Sequence, residues 1–188
     1  MSATGRGRRR NPRDFYETPA WVTHALFQSE KLFHHLYEPA CGTGAILRVL
    51  GQYGKASGSE ISEASVAICK EGGLDAEVLD YLSETTPPFF GDVVMNPPYK
   101  HAAEFVRKAL ERSEDGMKVC ALLRLNFLGS SRKRLDLVGP DSPLRRVHVL
   151  SKRPSFTGDG RTDAAEYAWF VFQKNYAGPS EVSVVPVF

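Results

Sequence analysis

Two rhythms of apolar residues alternate along this chain. Helical spacing marks Trp21, Ala25 and Leu26 behind Thr18-Pro19, where threonine predicts an N-cap and proline a first helical position. That helix runs to about Ser29, and the same spacing returns in Ala45–Gln52 and Ser62–Glu71. It returns again in Ala102, Phe105, Val106, Ala109 and Leu110. Between these lie runs of strand length: Leu32–Glu38, Ala56–Glu60, Ala76–Leu79, Asp92–Met95 and Val119–Leu125. The last is apolar throughout except for Arg124 at its end. Val147–Ser151 and Tyr167–Gln173 follow without clear helices between them, and Val182–Val187 reads as a last edge strand. Strands alternating with helices over short loops predict an α/β domain with a mostly parallel, doubly wound, seven-stranded sheet. The late strands predict an antiparallel hairpin on its edge. The 188 residues suit one domain, 14–188, behind an arm over 1–13.

One strand ends unusually. Asp92-Val93-Val94-Met95 runs into Asn96-Pro97-Pro98-Tyr99. Two prolines remove two backbone donors and fix φ, so the chain leaves the sheet stiffly with carbonyls unpaired. A carboxamide and an aromatic ring are thereby held at the carboxyl end of a strand, where open α/β sheets bind ligands. A turn that merely stops the strand uses the same residue types.

A second strand end carries glycines. Glu38-Pro39-Ala40-Cys41-Gly42-Thr43-Gly44 joins a strand to its helix, and Gly42 and Gly44 allow a tight turn and close approach of backbone to a ligand. Leu47 stands where a dinucleotide fingerprint needs its third glycine, and no phosphate loop is present. A nucleoside without phosphates fits better. Glu60, with Ile61 beside it, ends the second strand, where a carboxylate can accept from both ribose hydroxyls. Asp80 ends the third and can accept from an exocyclic amine, with Tyr81 and Leu82 as apolar contacts.

Charge changes the picture more than composition does. The net charge of +2 conceals an arm with five Arg and no acid over residues 1–13. Residues 118–161 hold ten Lys/Arg against three Asp. The rest is acidic, so one face is expected to turn toward a polyanion. No apolar run reaches membrane-span length, and no secretory leader pattern opens the chain. Cys41, Cys69 and Cys120 form no Cys-x-x-Cys pair, which predicts reduced thiols in a cytoplasmic protein with no metal framework.

Glu38–Gly44 followed by Asn96–Tyr99 resembles the S-adenosylmethionine-dependent amino-methyltransferases, in particular the N6-adenine DNA methyltransferases. Asp14-Phe15-Tyr16-Glu17-Thr18-Pro19 is similar to the motif preceding the glycine loop in members whose cofactor half comes first. The match covers roughly 14–175 and implies a Rossmann-like class I methyltransferase fold. It implies that Tyr16 and Thr18 touch S-adenosylmethionine from the N-terminal side and that Glu38–Gly44 cradles its methionine part. It also implies that Glu60 takes the ribose and Asp80 the adenine, and a stacking aromatic in a late loop, here Phe156.

The chemistry fits the tip. An adenine N6 amine is delocalised into its ring and needs two acceptors for its hydrogens. Asn96 and the Pro97 carbonyl can supply them, Pro98 keeps that carbonyl free, and Tyr99 can stack on the base. Ring-carbon methylation of cytosine needs a cysteine nucleophile on this loop, and none is there. Cytosine N4 enzymes more typically place Ser at position 96. RNA adenine and protein glutamine methyltransferases share Asn-Pro-Pro-Tyr, and a binding module that lost turnover is a further alternative. The basic segments favour nucleic acid, most of all double-stranded DNA, with Arg132, Lys133, Arg134 and Arg153 tracking phosphates. Only residues 157–188 follow Phe156, so the expected specificity is weak or short, as in compact phage-type enzymes.

Overall fold

The computed structural model describes residues 17–33, 35–129, 131–156, 162 and 164–187. The arm over 1–13 and the segment Asp14–Tyr16, including the predicted cofactor contact Tyr16, lie outside the described residues.

Strands and helices alternate through the first half: α1 (Ala20–Ser29), β1 (His35–Pro39), α2 (Ala45–Leu50), β2 (Lys55–Glu60), α3 (Glu63–Glu71), β3 (Ala76–Val78) and β4 (Asp92–Met95). A 3-10 turn (Tyr99–His101) leads into α4 (Ala102–Arg112), followed by β5 (Lys118–Arg124). The second half holds a short helix α5 (Leu135–Val138) and strands β6 (Leu144–Leu150), β7 (Tyr167–Gln173) and β8 (Glu181–Val185). Ser62 caps α3 by accepting from Ser65 N at 3.3 Å. Thr18 does not cap α1. Pro19 occupies the cap position without a side-chain bond, and the Thr18 hydroxyl is committed elsewhere.

All eight strands form one sheet in the order β3-β2-β1-β4-β5-β7-β6-β8. The expected edge hairpin is corrected here. β7 lies inside the sheet, antiparallel to both β5 and β6, while β8 closes the edge parallel to β6. Among the described residues the sheet therefore has eight strands, with β7 the single antiparallel one. Burial explains the placement: β7 is buried on both faces from Tyr167 to Phe172, which an edge strand could not be. Its alternate residues serve opposite cores. Ala168, Phe170 and Phe172 join Val93, Met95, Phe105 and Val106 under α4. Tyr167, Trp169 and Val171 join Val22, Leu26, Ile46 and Leu50 under α1 and α2. The Trp169 indole N–H donates to Val22 O at 2.8 Å, tying α1 to this central strand.

The carboxyl ends of β1, β2 and β4 consequently share one rim of the sheet. Among the described residues no helix is long and apolar enough to cross a membrane. No group of His, Cys, Asp and Glu among them is arranged to hold a metal.

Candidate active site

The loop after β1 is shaped by backbone. Gly42 and Gly44 take φ of 54° and 84°, and Ala40 takes 54°, which an L side chain adopts at a cost of about 1–3 kcal/mol. A methyl group on Gly44 would lie 2.4 Å from Leu74 Cδ1. The loop is tied down by Cys41 N donating to Ser59 O at 2.9 Å, and by Thr43 Oγ1 donating to Glu17 at 2.8 Å. The hollow above it has about 340 Å³ of space, opens to solvent, and is lined by Glu17, Thr18, Glu38, Ala40–Thr43, Ala45, Ile46 and Asn96.

Glu38 sits at the floor, buried, and its Oε2 has no hydrogen-bond partner among the described residues. Burial pushes its pKa well above the carboxylate range; the Leu47 backbone N–H opposes this and the Glu60 charge adds to it. Such a carboxyl is an acceptor waiting for a cation or donor. Glu60 is more committed than the sequence suggests. Its Oε2 accepts from Gly42 N at 3.0 Å, and its Oε1 accepts from Ile61 N and Ser62 N. The Glu60 carboxylate thus holds the glycine loop and keeps one acceptor position on Oε2 for a ligand hydroxyl. Ile61 projects from the rim, 68% exposed.

Asp80 is exposed, and its Oδ1 accepts from Leu82 N at 3.0 Å. Tyr81 lies elsewhere than expected. Its ring is buried, stacked on Phe105 and tilted against Tyr37, so it supports the rim from the core rather than facing the hollow. Burial pushes the Cys41 thiol above its ordinary range, with the Glu38 charge adding to the effect.

At the tip, Asn96 Nδ2 donates to Thr18 Oγ1 at 3.0 Å. Asn96 Oδ1 is shielded from solvent and accepts no bond among the described residues. Pro97 is buried, and among the described residues its carbonyl accepts nothing; the next carbonyl, of Pro98, takes His101 N at 2.8 Å and starts the 3-10 turn. Tyr99 is 37% exposed. Its hydroxyl meets that of Tyr167 at 2.9 Å, and the Arg124 guanidinium lies 4.8 Å from its ring centroid. Arg124 Nε in turn donates to Tyr167 at 3.1 Å.

Phe156, expected as a second stacking ring, lies in the core rather than on the surface. It is buried, packs edge-on against Tyr167 at 5.1 Å and belongs to the core under α1. Arg132 and Lys133 are exposed on a 3-10 turn, whereas Arg134 donates to the carbonyls of Gly129 and Asn126 and covers the Phe127 ring. Arg153 is paired with Glu166 on the surface. Two site residues escaped the sequence reading. Arg124 announced itself as the lone charge ending an apolar strand; Tyr167 carried no signal, because its partners lie far away in the chain.

No protein-family model matches the sequence, and no curated protein matches it. Solved structures do share the fold. A modification subunit assigned to a type I restriction enzyme of Vibrio vulnificus YJ016 superposes with a TM-score of 0.64 at 16% identity, covering 92% of this chain and 47% of that one. A protein from Listeria monocytogenes described as a class I S-adenosylmethionine-dependent methyltransferase gives 0.64 at 13% identity, covering 94% and 68%. The 23S rRNA methyltransferase ErmE gives 0.58 at 17% identity, covering 83% and 68%. The chain spans about half the length of the modification subunit. Its fold is that of the class I, Rossmann-like methyltransferases.

Proposed function

We propose that this protein transfers a methyl group from S-adenosylmethionine to the exocyclic N6 of adenine in DNA. The observation that carries the reading is Asn96 Oδ1, an unpartnered acceptor at the carboxyl end of β4 beside the glycine-loop hollow. The residues present fit the cofactor: the unpaired Glu38 carboxyl suits an ammonium, the left-handed Gly42–Gly44 turn leaves room for a chain, and Glu60 retains an acceptor for a hydroxyl.

When bound, S-adenosylmethionine supplies an electrophilic methyl group on a sulfonium. Asn96 Oδ1 and the Pro97 carbonyl accept the two hydrogens of the amine, which turns its lone pair out of the ring plane. Tyr99 holds the flat face of the base, its own ring braced by Tyr167 and Arg124. A base inside a duplex must leave the stack to arrive there, and an aromatic contact offsets about 1–3 kcal/mol of that loss. Alignment of the amine with the methyl group would supply the rate: the N–methyl bond would form as the sulfonium–methyl bond breaks to leave a neutral thioether, and the extra proton would pass to solvent afterwards, so no strong base is required.

DNA is favoured by the basic excess over 118–161 and the arm over 1–13. The test is transfer of labelled methyl to duplex DNA, single-stranded DNA, RNA and protein. Label on N6 of adenine in DNA, lost in Asn96→Ala with cofactor affinity kept, is the expected result. Label confined to RNA or to a glutamine side chain overturns the substrate, and no cofactor binding overturns the enzyme.

A further inference from the structure

Tyr99 lines a second hollow, of about 560 Å³ and open to solvent, that shares no lining residue with the first. Its walls include Tyr99, Lys100, Phe127, Ser131, Lys133 and Arg134. We infer that this hollow seats the phosphodiester next to the target nucleotide, gripped by Lys100 and Lys133; the inference rests on the nucleic-acid reading above.

The cations are not equivalent. Arg107, also on the wall, is neutralised by Asp136 through two hydrogen bonds of 2.6 and 2.9 Å. Arg134 is held by backbone carbonyls and by the Phe127 face, so its charge is fixed in place without an anion. The ammonium groups of Lys100 and Lys133 are exposed and have no ion pair or hydrogen bond among the described residues. Glu104, the acid on this wall, is engaged by His101. Ser131 anchors the turn by accepting from Lys133 N at 3.3 Å, which leaves its hydroxyl hydrogen for a ligand oxygen.

A pocket with one pre-positioned guanidinium, two unpaired ammonium groups and a hydroxyl suits a phosphate diester. Tyr99 lines this hollow and belongs to the same Asn-Pro-Pro-Tyr tip whose Asn96 lines the glycine-loop hollow. A base held at Tyr99 therefore brings its flanking phosphate within reach of Lys100. The site fixes the position of the strand and reads no base.

The experiment compares full-length wild type with Lys100→Ala/Lys133→Ala. Binding of a labelled duplex DNA, and of RNA of the same sequence, is followed by anisotropy over a salt series. Lys55→Ala/Lys70→Ala removes two exposed charges from the β2–α3 region as a control. The expected result is a salt slope shallower by about 1 on DNA in the first variant and unchanged in the control. Cofactor affinity stays at the wild-type value in both. Equal slopes in wild type and the Lys100/Lys133 variant, with methylation intact, overturn the phosphate seat alone. A shallower slope on RNA but not on DNA upholds the seat and overturns DNA as substrate. Absence of binding to either nucleic acid overturns both readings.

Discussion

Asn96 and Thr18, 78 residues apart in the chain, share a 3.0 Å hydrogen bond from Nδ2 to Oγ1, and this bond decides which way the Asn96 amide faces. With its donor end occupied, the atom left over is an acceptor, which is what an amine substrate requires. Thr18→Val keeps the branched shape and removes the oxygen, freeing the amide to rotate. Turnover should fall about 10- to 100-fold, the effect of about 1–3 kcal/mol, with the cofactor dissociation constant little changed. Thr18→Ser should restore it. Steady-state kinetics beside calorimetric titration separates this from the cofactor contact that the family resemblance implies, which would move affinity instead.

Glu38 gives a proton signature. Its pKa in the free protein is raised by burial, so the unfolded chain loses this proton first. Stability of the free protein therefore falls as pH rises from the ordinary value of 4.5 toward the folded one, and Glu38→Gln should flatten that limb. Pairing with a cofactor ammonium needs the ionised form. Binding should release a proton wherever Glu38 is still protonated, and titration in buffers of different ionisation enthalpy measures it. In Glu38→Gln that release should vanish and affinity should weaken by about tenfold or more.

The C-cap of α1 supplies an acid-sensitive tie. Glu30 is buried and binds Lys118 Nζ at 2.7 Å, Arg146 Nη1 at 3.1 Å and His148 Nε2 at 2.9 Å. Burial raises its pKa, but His148, Lys118 and Arg146 together lower it to about 2. Since the folded value is depressed, this contribution is complete above 4.5 and disappears as pH falls toward 2. Glu30→Ala should cost about 1–3 kcal/mol at neutral pH, because it strands the half-buried Lys118 and Arg146 cations, and the acid-unfolding curve should lose its steepest part. Chemical denaturation across that pH range is the measurement.

Tyr99 and Phe156 divide the proposed base platform from the core. Phe156→Ala opens a cavity and should lower stability by about 3–5 kcal/mol. Phe156→Leu should keep activity. Tyr99→Ala, at a partly exposed ring, should cost less stability and remove most transfer. Thermal melts beside a methylation assay distinguish the two patterns.

Much of this was legible because its signals are local. The 2- and 3.6-residue periods mark strands and helices wherever one face is buried, and stiff or left-handed backbone leaves its trace as Pro97-Pro98 and as Gly42 and Gly44. Non-local partners were not legible. Tyr167–Gln173 reads as a strand in any position, and nothing in its own residues says that β5 and β6 will enclose it. Thr18 before Pro19 has the local grammar of a cap, and only the tertiary approach of Asn96 diverts it. Phe156 and Tyr81 are aromatic rings near a site, and burial behind that site cannot be told from exposure in front of it without the packing.

The antiparallel sense of β7 has a consequence for synthesis. Arg124, the last residue of β5, pairs with Tyr167, the first of β7, so the brace under Tyr99 is built at the point where the two strands meet end to start. A ribosome makes the glycine loop and the Asn-Pro-Pro-Tyr tip long before it makes Tyr167. The nascent chain therefore carries the proposed cofactor residues while the aromatic ring still lacks its support. The proposed transfer activity should wait until the late strand has emerged and entered the sheet.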